Sequence, residues 1–246
     1  AVSLYFSLMS RPVSRIARTQ ESSETKWVPS PLSARAAAET TPAPMTLFKG
    51  IRKLPAGCRM RIDARGVHGV ERYWDAMTAA AAVGHIAPGD RADAVLHTLR
   101  DSVRLRKLSD VNVGVFLSGG VDSSTNAALF SEGETQPVRT FSIGYDADYD
   151  SYPSELPFAR QMAETVGASH HERLLSVDDL MAFVPDMAYL QDEPIADPVC
   201  IPLYYVSRLA KDNGVTVCQV GEGADELFFG YSQWHDRLRL QRLLGF

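Results

Sequence analysis

Residues 111–124, VNVGVFLSGGVDSS, decide the fold of this chain. Val113, Val115 and Leu117 are β-forming residues in a run without an internal polar side chain, as in a strand that is buried on both faces of a parallel sheet. The run ends in a loop with two adjacent glycines, and a segment rich in Ala and Leu, typical of a helix, follows. A strand, a glycine loop and a helix in this order predict an α/β fold with an anion-binding turn.

The loop carries groups that bind phosphate. Its two glycines let the backbone approach an anion, its serines add hydroxyl donors, and the next helix directs its free amides and dipole at the ligand. The loop lacks the lysine of the G-x-x-x-x-G-K-[ST] motif, and Asp122 would repel phosphate unless a cation lay between them, which implies magnesium. The loop residues concerned are Ser118, Gly119, Gly120, Asp122, Ser123 and Ser124. The alternative is an ordinary Gly-Gly turn before a capped helix.

A second glycine-rich turn follows another β-branched strand in residues 215–231, VTVCQVGEGADELFFGY. It contains Glu222, Asp225 and Glu226 at the carboxyl end of the predicted strand, where open α/β sheets bind ligands. Asp225 can complete the magnesium site with Asp122, and Glu222 can face a substrate amine or carboxylate. The alternative is solvated surface charge, with acidic residues that favour the start of a helix.

The first loop resembles the pyrophosphate-binding loop of the ATP pyrophosphatase (PP-loop) family. Together with residues 141–172 and 192–210, the two loops resemble the synthetase domain of the glutamine-dependent asparagine synthetases, from Thr46 to about Tyr231. The second loop of that family usually reads S-G-E-G-S-D-E, whereas this chain has Val220 and Ala224 in place of the two serines. With Val220 in this position, the serine side chain of the family is missing near the expected adenosine pocket, although the backbone of residue 220 can still make its contact.

The resemblance implies a doubly wound parallel sheet with flanking helices, of the adenine nucleotide alpha-hydrolase type. It implies that ATP and Mg²⁺ are bound, that aspartate or another small carboxylate is activated as an acyl adenylate, and that ammonia, free or from glutamine, then gives the amide, AMP and pyrophosphate. Matched to the family motif position by position, the residues that would hold pyrophosphate and the metal are Ser118, Gly119, Gly120, Asp122, Ser123 and Ser124. Those that would contact adenosine are Leu117, Ile143, Val220 and Gly221. Asp225 would also bind the metal, and Glu222 would bind the acceptor. Glu222, Asp122 and Asp225 would be the catalytic residues.

Two alternatives remain open from the sequence. One is a nucleotide-binding fragment without catalysis. The other is a related amidotransferase that acts on a different carboxylate, such as a sugar acid, a peptide or a β-lactam precursor; the observation behind it is that Val220 and Ala224 replace the two serines of the family motif.

Composition narrows the class of protein. The chain has 246 residues, 45% of them hydrophobic, and a net charge of −5, which argues against nucleic acid as the main partner. No apolar run approaches the roughly 20 residues of a membrane helix, so no membrane partner is expected. Cys58, Cys200 and Cys218 are too widely spaced to predict a zinc site or a disulfide framework. A cytoplasmic protein is the expectation.

The alternation of patterns predicts the order of elements. Strands are expected near residues 113–117, 138–143, 170–174 and 215–220, and helices near 91–107, 122–131, 155–166, 177–189 and 201–212. His170 and His171 are adjacent in a strand and point to opposite faces, so a structural role is favoured over a shared site.

The amino-terminal part is less regular. Residues 46–63 resemble the closing hairpin of a glutaminase domain, so residues 1–75 are expected to be a remnant of that domain with a disordered insert at about 11–44. Residues 76–246 are expected to form the synthetase domain, truncated before a helical region that carries a lysine in the family. A separate glutaminase domain or a second copy of the chain would be the partner.

Two loops complete the expectations. Residues 144–153, with Asp146, Asp148 and Asp150, are expected to form a flexible loop near the nucleotide rather than a calcium loop, because the required Gly and Glu are missing. The acidic, proline-containing segment 191–198 either lines the acceptor pocket or is a capped connection.

Overall fold

The computed structural model describes residues 6–7, 41–146, 154–191 and 197–244. They form two compact units. The first unit takes its described residues from Ala1–Pro12, Ala92–Phe183 and Val199–Phe246, and the second from Val13–Arg91 and Val184–Pro198.

The described elements follow the predicted alternation. The strands are β1 (Phe6–Ser7), β2 (Cys58–Asp63), β3 (Gly66–Arg72), β4 (Val113–Phe116), β5 (Arg139–Tyr145), β6 (Ser169–Leu175) and β7 (Val217–Gln219). The helices are α1 (Ala76–Val83), α2 (Arg91–Arg106), α3 (Val121–Ser131), α4 (Leu156–Thr165), α5 (Val177–Leu190), α6 (Cys200–Asp212), α7 (Ala224–Phe228) and α8 (Ser232–Leu244), with a 3₁₀ turn at Pro88–Asp90. The predicted strands and helices are all present, with ends within two residues of those expected.

The first unit contains a five-stranded sheet in the order β1-β7-β4-β5-β6. Strands β7, β4, β5 and β6 are parallel, as predicted. The chain passes from β4 to β5 and β6 in one direction and then returns to place β7 on the other side of β4, so the order of the strands reverses between β4 and β7. This doubly wound arrangement confirms the predicted fold class. The short β1 adds an antiparallel strand at the edge, beside β7, which the sequence analysis did not predict.

The core of this unit lies on both faces of the sheet. Val115 and Leu117 of the β4 segment pack with Ala127 of α3 and Ala159 of α4. Phe116, between them in sequence, points to the opposite face, where it packs in a second cluster with residues of β5 and α6. Because successive side chains alternate across a strand, one apolar run fills both layers. Burial on both faces therefore fixes β4 in the middle of the sheet, and with it the loop that follows.

The second unit is built around the antiparallel hairpin of β2 and β3. Arg59 on β2 donates to Glu71 on β3 with both nitrogen–oxygen distances at 3.1 Å. After the hairpin, the side chain of Asp75 accepts hydrogen bonds from the amides of Met77 and Thr78 and begins α1. The hairpin overlaps the segment that resembles a glutaminase domain, and that origin stays a prediction.

No helix in the described ranges has both the length and the apolar character needed to cross a lipid bilayer. The expected disordered insert lies almost entirely outside the described residues, as do Asp148, Asp150, Asp192 and Glu193 in the two predicted site loops.

Candidate active site

The two glycine-rich loops lie side by side at one edge of the sheet. One follows β4 and the other follows β7, and these strands are hydrogen-bonded neighbours. The reversal of strand order occurs between the same two strands. In open α/β sheets this position leaves a crevice at the carboxyl ends of the strands, where ligands bind. The topology therefore brings together the two loops that the sequence analysis selected.

The structure leaves no room for a side chain at position 119, which is occupied by glycine. Its backbone has a φ of +91°, and a Cβ there would lie 2.6 Å from the amide nitrogen of Ala159 and 2.7 Å from Cβ of Phe158. A residue with a side chain would be strained and would also collide with the start of α4. The glycine thus lets the loop fit closely between β4 and α4.

Two serines bond to each other within the first loop. The hydroxyl oxygens of Ser118 and Ser123 are 2.9 Å apart, and the Ser118 amide donates to the Ser123 hydroxyl at 3.2 Å. Ser123 Oγ donates to the carbonyl of Gly120 at 3.2 Å, and the Gly120 amide donates to Ser118 Oγ at 3.3 Å. Both hydroxyls therefore help to hold the loop in shape.

Gly120 is the residue before α3, and no side chain caps the helix there. Its carbonyl accepts from the amide of Ser124 at 3.0 Å. The amides of the first turn thus stay directed toward the crevice without a side-chain acceptor at the cap, which is the arrangement that binds anions at helix N-termini.

Gly221 of the second loop lies against the start of α3. A Cβ at Gly221 would lie 3.1 Å from the carbonyl carbon of Asp122, 3.2 Å from its oxygen and 3.2 Å from the amide nitrogen of Ser123. The two loops are therefore in backbone contact.

Three carboxylates interact across this contact. Burial raises the pKa of Asp122, and the negative charges of Asp225 and Glu226 raise it further. Like charges that are brought together in this way favour a cation between them. The predicted pair of Asp122 and Asp225 is thus electrostatically coupled, and Glu226 joins it.

Asp225 and Glu226 are held by the residues after α7. Gly230 packs so closely that a Cβ there would lie 1.7 Å from Oδ1 of Asp225, and its amide donates to the Asp225 carbonyl at 3.0 Å. The hydroxyl of Tyr231 donates to Glu226 at 2.9 Å, and this bond, with burial, raises the pKa of Tyr231 to about 12. The contact of Tyr231 was not predicted from the sequence, because it depends on the turn through Phe229, which has a left-handed φ of 58°.

The acidic groups fit a magnesium ion that is bound mainly through phosphate. Within the described part of the chain, no three His, Cys, Asp or Glu side chains are arranged to hold a metal ion by themselves. Mg²⁺ usually takes one or two protein carboxylates and completes its shell with substrate phosphates and water. Asp122 and Asp225 match that limited contribution.

A cavity of about 210 Å³ opens between β4, β5 and α6. Two residues predicted to contact adenosine, Leu117 and Ile143, line it, together with Ser118 of the phosphate loop. The hydroxyl of buried Ser142 donates to the carbonyl of Leu117 and fixes the backbone at the mouth of the loop. The cavity therefore adjoins the phosphate loop directly.

The other two predicted adenosine contacts do not line this cavity. Val220 packs against the buried cluster that contains Phe116 and Phe141, and Gly221 contacts α3. Glu155, which the sequence analysis did not select, does line the cavity, and burial raises its pKa. Glu155 could not be recognised from the sequence, because an acidic residue before Leu-Pro is a pattern common at the start of any helix.

Comparison with known proteins assigns the family. The family model described as asparagine synthase matches residues 94–245, which is more than half of the chain. The chain belongs to the asparagine synthase family. The match includes both loops and the cavity between β4 and β5.

Relatives in this family are named as glutamine-hydrolysing enzymes. A putative asparagine synthetase [glutamine-hydrolyzing] of Mycobacterium tuberculosis is 38% identical over 201 residues, which cover 81% of this chain and 30% of that protein. Asparagine synthetase [glutamine-hydrolyzing] 1 of Bacillus subtilis is 34% identical over 200 residues, with the same coverage of 81% and 30%. The chain spans about three tenths of the length of these relatives.

Among solved structures, the NH3-dependent NAD synthetase from Campylobacter jejuni in complex with nitrate matches with a TM-score of 0.37. Its sequence is 16% identical, and the match covers 57% of this chain and 60% of that chain. The fold assignment rests instead on the strand order and on the asparagine synthase family model.

The adjacent histidines of this asparagine synthase family member are held by contacts with neighbouring side chains. His170 contacts Thr140 at 2.8 Å and Glu172 at 3.0 Å, and His171 stacks on Phe141 with ring centroids 5.4 Å apart. No disulfide joins any of the three cysteines, which all lie in the described ranges, and burial raises the pKa of Cys218 to about 12. These contacts agree with the structural role predicted for the histidines.

Proposed function

We propose that this chain binds ATP between its two glycine-rich loops and uses it to make asparagine from aspartate and ammonia. The observation that carries the proposal is the backbone contact of Gly221 with Asp122, which brings a carboxylate-bearing turn onto a phosphate-binding loop. Such a juxtaposition suits a reaction in which pyrophosphate leaves while a second substrate reacts beside it.

The first loop would hold the β- and γ-phosphates of ATP. The amides at the start of α3 and the dipole of this 11-residue helix would face the negative charge. Ser118, Gly119, Gly120, Ser123 and Ser124 would form the cradle. Asp122 and Asp225 would hold Mg²⁺ against the phosphates, and the ion would offset the charge that moves onto pyrophosphate.

Leu117 and Ile143 would contact the adenine in the 210 Å³ cavity. This volume lies below the roughly 300–1,000 Å³ of a site for a whole drug-sized ligand, so the cavity would take the base while the phosphates lie over the loop. Gly221 and Val220 would contribute backbone contacts to the nucleotide, because the Val220 side chain is directed into the core.

Glu222 would orient the acceptor. It lies on the exposed side of the second loop, next to the coupled carboxylates, where it could bind the amino group of aspartate. A carboxylate oxygen of aspartate would attack the α-phosphorus of ATP and release pyrophosphate. Ammonia would then attack the acyl carbon, so that AMP leaves and asparagine forms. Ammonia would come from solution or from a glutaminase domain, for which the β2–β3 hairpin would be a remnant.

Product analysis tests this proposal. The purified chain, with ATP, Mg²⁺, ammonium and aspartate, is expected to form AMP, pyrophosphate and asparagine in equal amounts, and the Asp122→Ala variant is expected to form none. Replacing aspartate by sugar acids or peptides in parallel tests the choice of acceptor. Amide formation only with another acid would overturn the proposed substrate, and tight ATP binding without AMP formation from any acid would overturn the proposed reaction.

A further inference from the structure

Two buried amide side chains near the candidate site each have a polar atom without a hydrogen-bond partner among the described residues. Asn126 on α3 is 8% exposed and Gln219 at the end of β7 is 6% exposed. The Nδ2 atom of Asn126 and the Oε1 atom of Gln219 are buried without a partner among the residues that the structure describes. Because buried polar groups in folded proteins are nearly always hydrogen-bonded, each of these atoms requires an explanation.

Both side chains lie in the layer between α3 and the sheet. Gln219 pairs in register with Val115 of β4, and Val115 packs with Ala127 of α3 in one buried cluster. Cys218, the residue before Gln219, belongs to the cluster on the opposite face. Since side chains alternate along a strand, Gln219 faces the α3 side of the sheet.

Asn126 lies on the face of α3 that meets this layer. It is four residues after Asp122, so the two residues share one face of the helix, one turn apart. Its neighbour Ala127 is fully buried against the sheet. Asn126 is therefore one turn below the residue that Gly221 contacts.

The two amides also connect the two loops in sequence. Gln219 is separated from Gly221 only by Val220, and Asn126 lies one turn into the helix that the first loop begins. Each amide thus lies within a few residues of one side of the contact of Gly221 with Asp122. A link between the amides would hold the ends of β7 and α3 in a fixed relation.

The unpaired atoms have complementary chemistry. Nδ2 of Asn126 is a donor and Oε1 of Gln219 is an acceptor. One water molecule can accept from the first and donate to the second, and buried waters commonly satisfy such groups. An apolar ligand would leave both groups unsatisfied.

We infer that Asn126 and Gln219 are positioning residues, joined by one buried water molecule that ties α3 to β7 and fixes Gly221 against Asp122. The bridge itself is independent of the proposed function, whereas its effect on the nucleotide rests on that function.

Thermal unfolding of the whole chain tests the bridge. Asn126→Leu and Gln219→Leu each leave the other amide buried without a partner, so each is expected to lower Tm by about 4–8 °C. The double variant removes both polar groups and is expected to lose clearly less than the sum of the two single losses. The exchanged pair, Asn126→Gln with Gln219→Asn, keeps both amides and is expected to stay within about 2 °C of the parent chain.

ATP affinity in the presence of Mg²⁺ tests the positioning role. The double leucine variant is expected to bind ATP about tenfold more weakly than the parent even where it is stably folded, because its loops are no longer tied. The exchanged pair is expected to recover most of that affinity. Ser207→Ala, at another buried polar residue on α6, is the control and is expected to leave ATP affinity unchanged.

Additive losses of Tm, or a high-resolution crystal structure without a water between the two amides, would overturn the bridge. A double leucine variant with parental ATP affinity would overturn the positioning role. If a single variant does not fold, the double variant and the exchanged pair decide both points. A parent chain that does not bind ATP would overturn the proposed function and the positioning role together, while the unfolding data would still decide the bridge.

Discussion

The backbone of Gly221 lies against that of Asp122, so that a Cβ on the glycine would be 3.1 Å from the carbonyl carbon of Asp122. The glycine belongs to the loop after β7, and the aspartate begins the helix after β4. The contact joins the acidic turn to the loop after β4, and the proposed magnesium and nucleotide sites of this asparagine synthase family member depend on it.

Gly221→Ala is therefore expected to weaken ATP binding. The new methyl group would meet backbone atoms at 3.1–3.2 Å, and these atoms can yield only if the loop moves away from α3. We expect a loss of ATP affinity of about tenfold, measured by titration calorimetry with Mg²⁺ present. Gly89→Ala, where a Cβ would meet no atom within 4 Å, is the matched control. Equal ATP affinities in the two variants would contradict the role of the contact.

Gly119→Ala is expected to destabilise the fold more than Gly133→Ala does. Both glycines have a positive φ, of 91° and 74°, but only Gly119 has backbone atoms within 3 Å of the added Cβ. The backbone strain of the two substitutions is similar, so the difference in Tm reports the collision with Ala159 and Phe158. We expect a further loss of about 4–8 °C for Gly119→Ala, measured by differential scanning calorimetry. Equal losses would show that the first loop has room to move away from α4.

His170 is expected to make the fold less stable in mild acid. Burial lowers the pKa of His170 in the folded chain, and the nearby Glu172 only partly offsets this effect. The unfolded chain, in which the pKa is about 6.5, therefore takes up the proton more readily, and stability falls as the pH drops below that value.

We expect the Tm of the parent chain to fall more steeply between pH 7.5 and pH 5.5 than that of His170→Gln. The carboxylate of Glu172 is bound by Arg160, and its pKa is lowered despite burial. The stability that ionised Glu172 gives to the fold is therefore lost only at lower pH. Thermal unfolding in a buffer series measures both slopes. Parallel slopes for the two proteins would contradict the assignment to His170.

Val220→Ser, which introduces the serine usual in the family, is expected to lower stability without improving ATP binding. Val220 packs against the buried cluster around Phe116 and Phe141 and does not line the cavity. Loss of this packing is expected to cost about 1 kcal/mol in the free energy of unfolding. Chemical denaturation and ATP titration measure the two effects. A variant that bound ATP several-fold more tightly would place position 220 in the adenosine pocket after all.

The local elements of the sheet could be predicted closely from the sequence. The β4 run is apolar at every position from Val113 to Leu117 except for Gly114, and burial on both faces requires such a run. The placement of β7 beside β4, and the addition of β1, could not be predicted because they depend on hydrogen bonds between segments that are far apart in the chain.

The candidate site was predictable only in part. The sequence selected Asp122 and Asp225 because each follows a strand in a glycine-rich turn, and parallel strands bring such turns to one edge. It did not select Glu155, or the bond from Tyr231 to Glu226, since both depend on how helices pack around the loops. Val220 illustrates the same limit, because alternation along β7 and packing against α6 determine where its side chain points.

The most direct test of the account is the affinity for ATP with and without Mg²⁺, measured for the parent chain and for Asp122→Asn. We expect Mg²⁺ to strengthen ATP binding to the parent by about tenfold or more and to have little effect on the variant, in which one carboxylate of the pair is neutral. Asp212→Asn, at an exposed position of α6, should behave as the parent. An equal gain from Mg²⁺ in the parent and in Asp122→Asn would contradict the magnesium site, and with it the proposed function of the two loops.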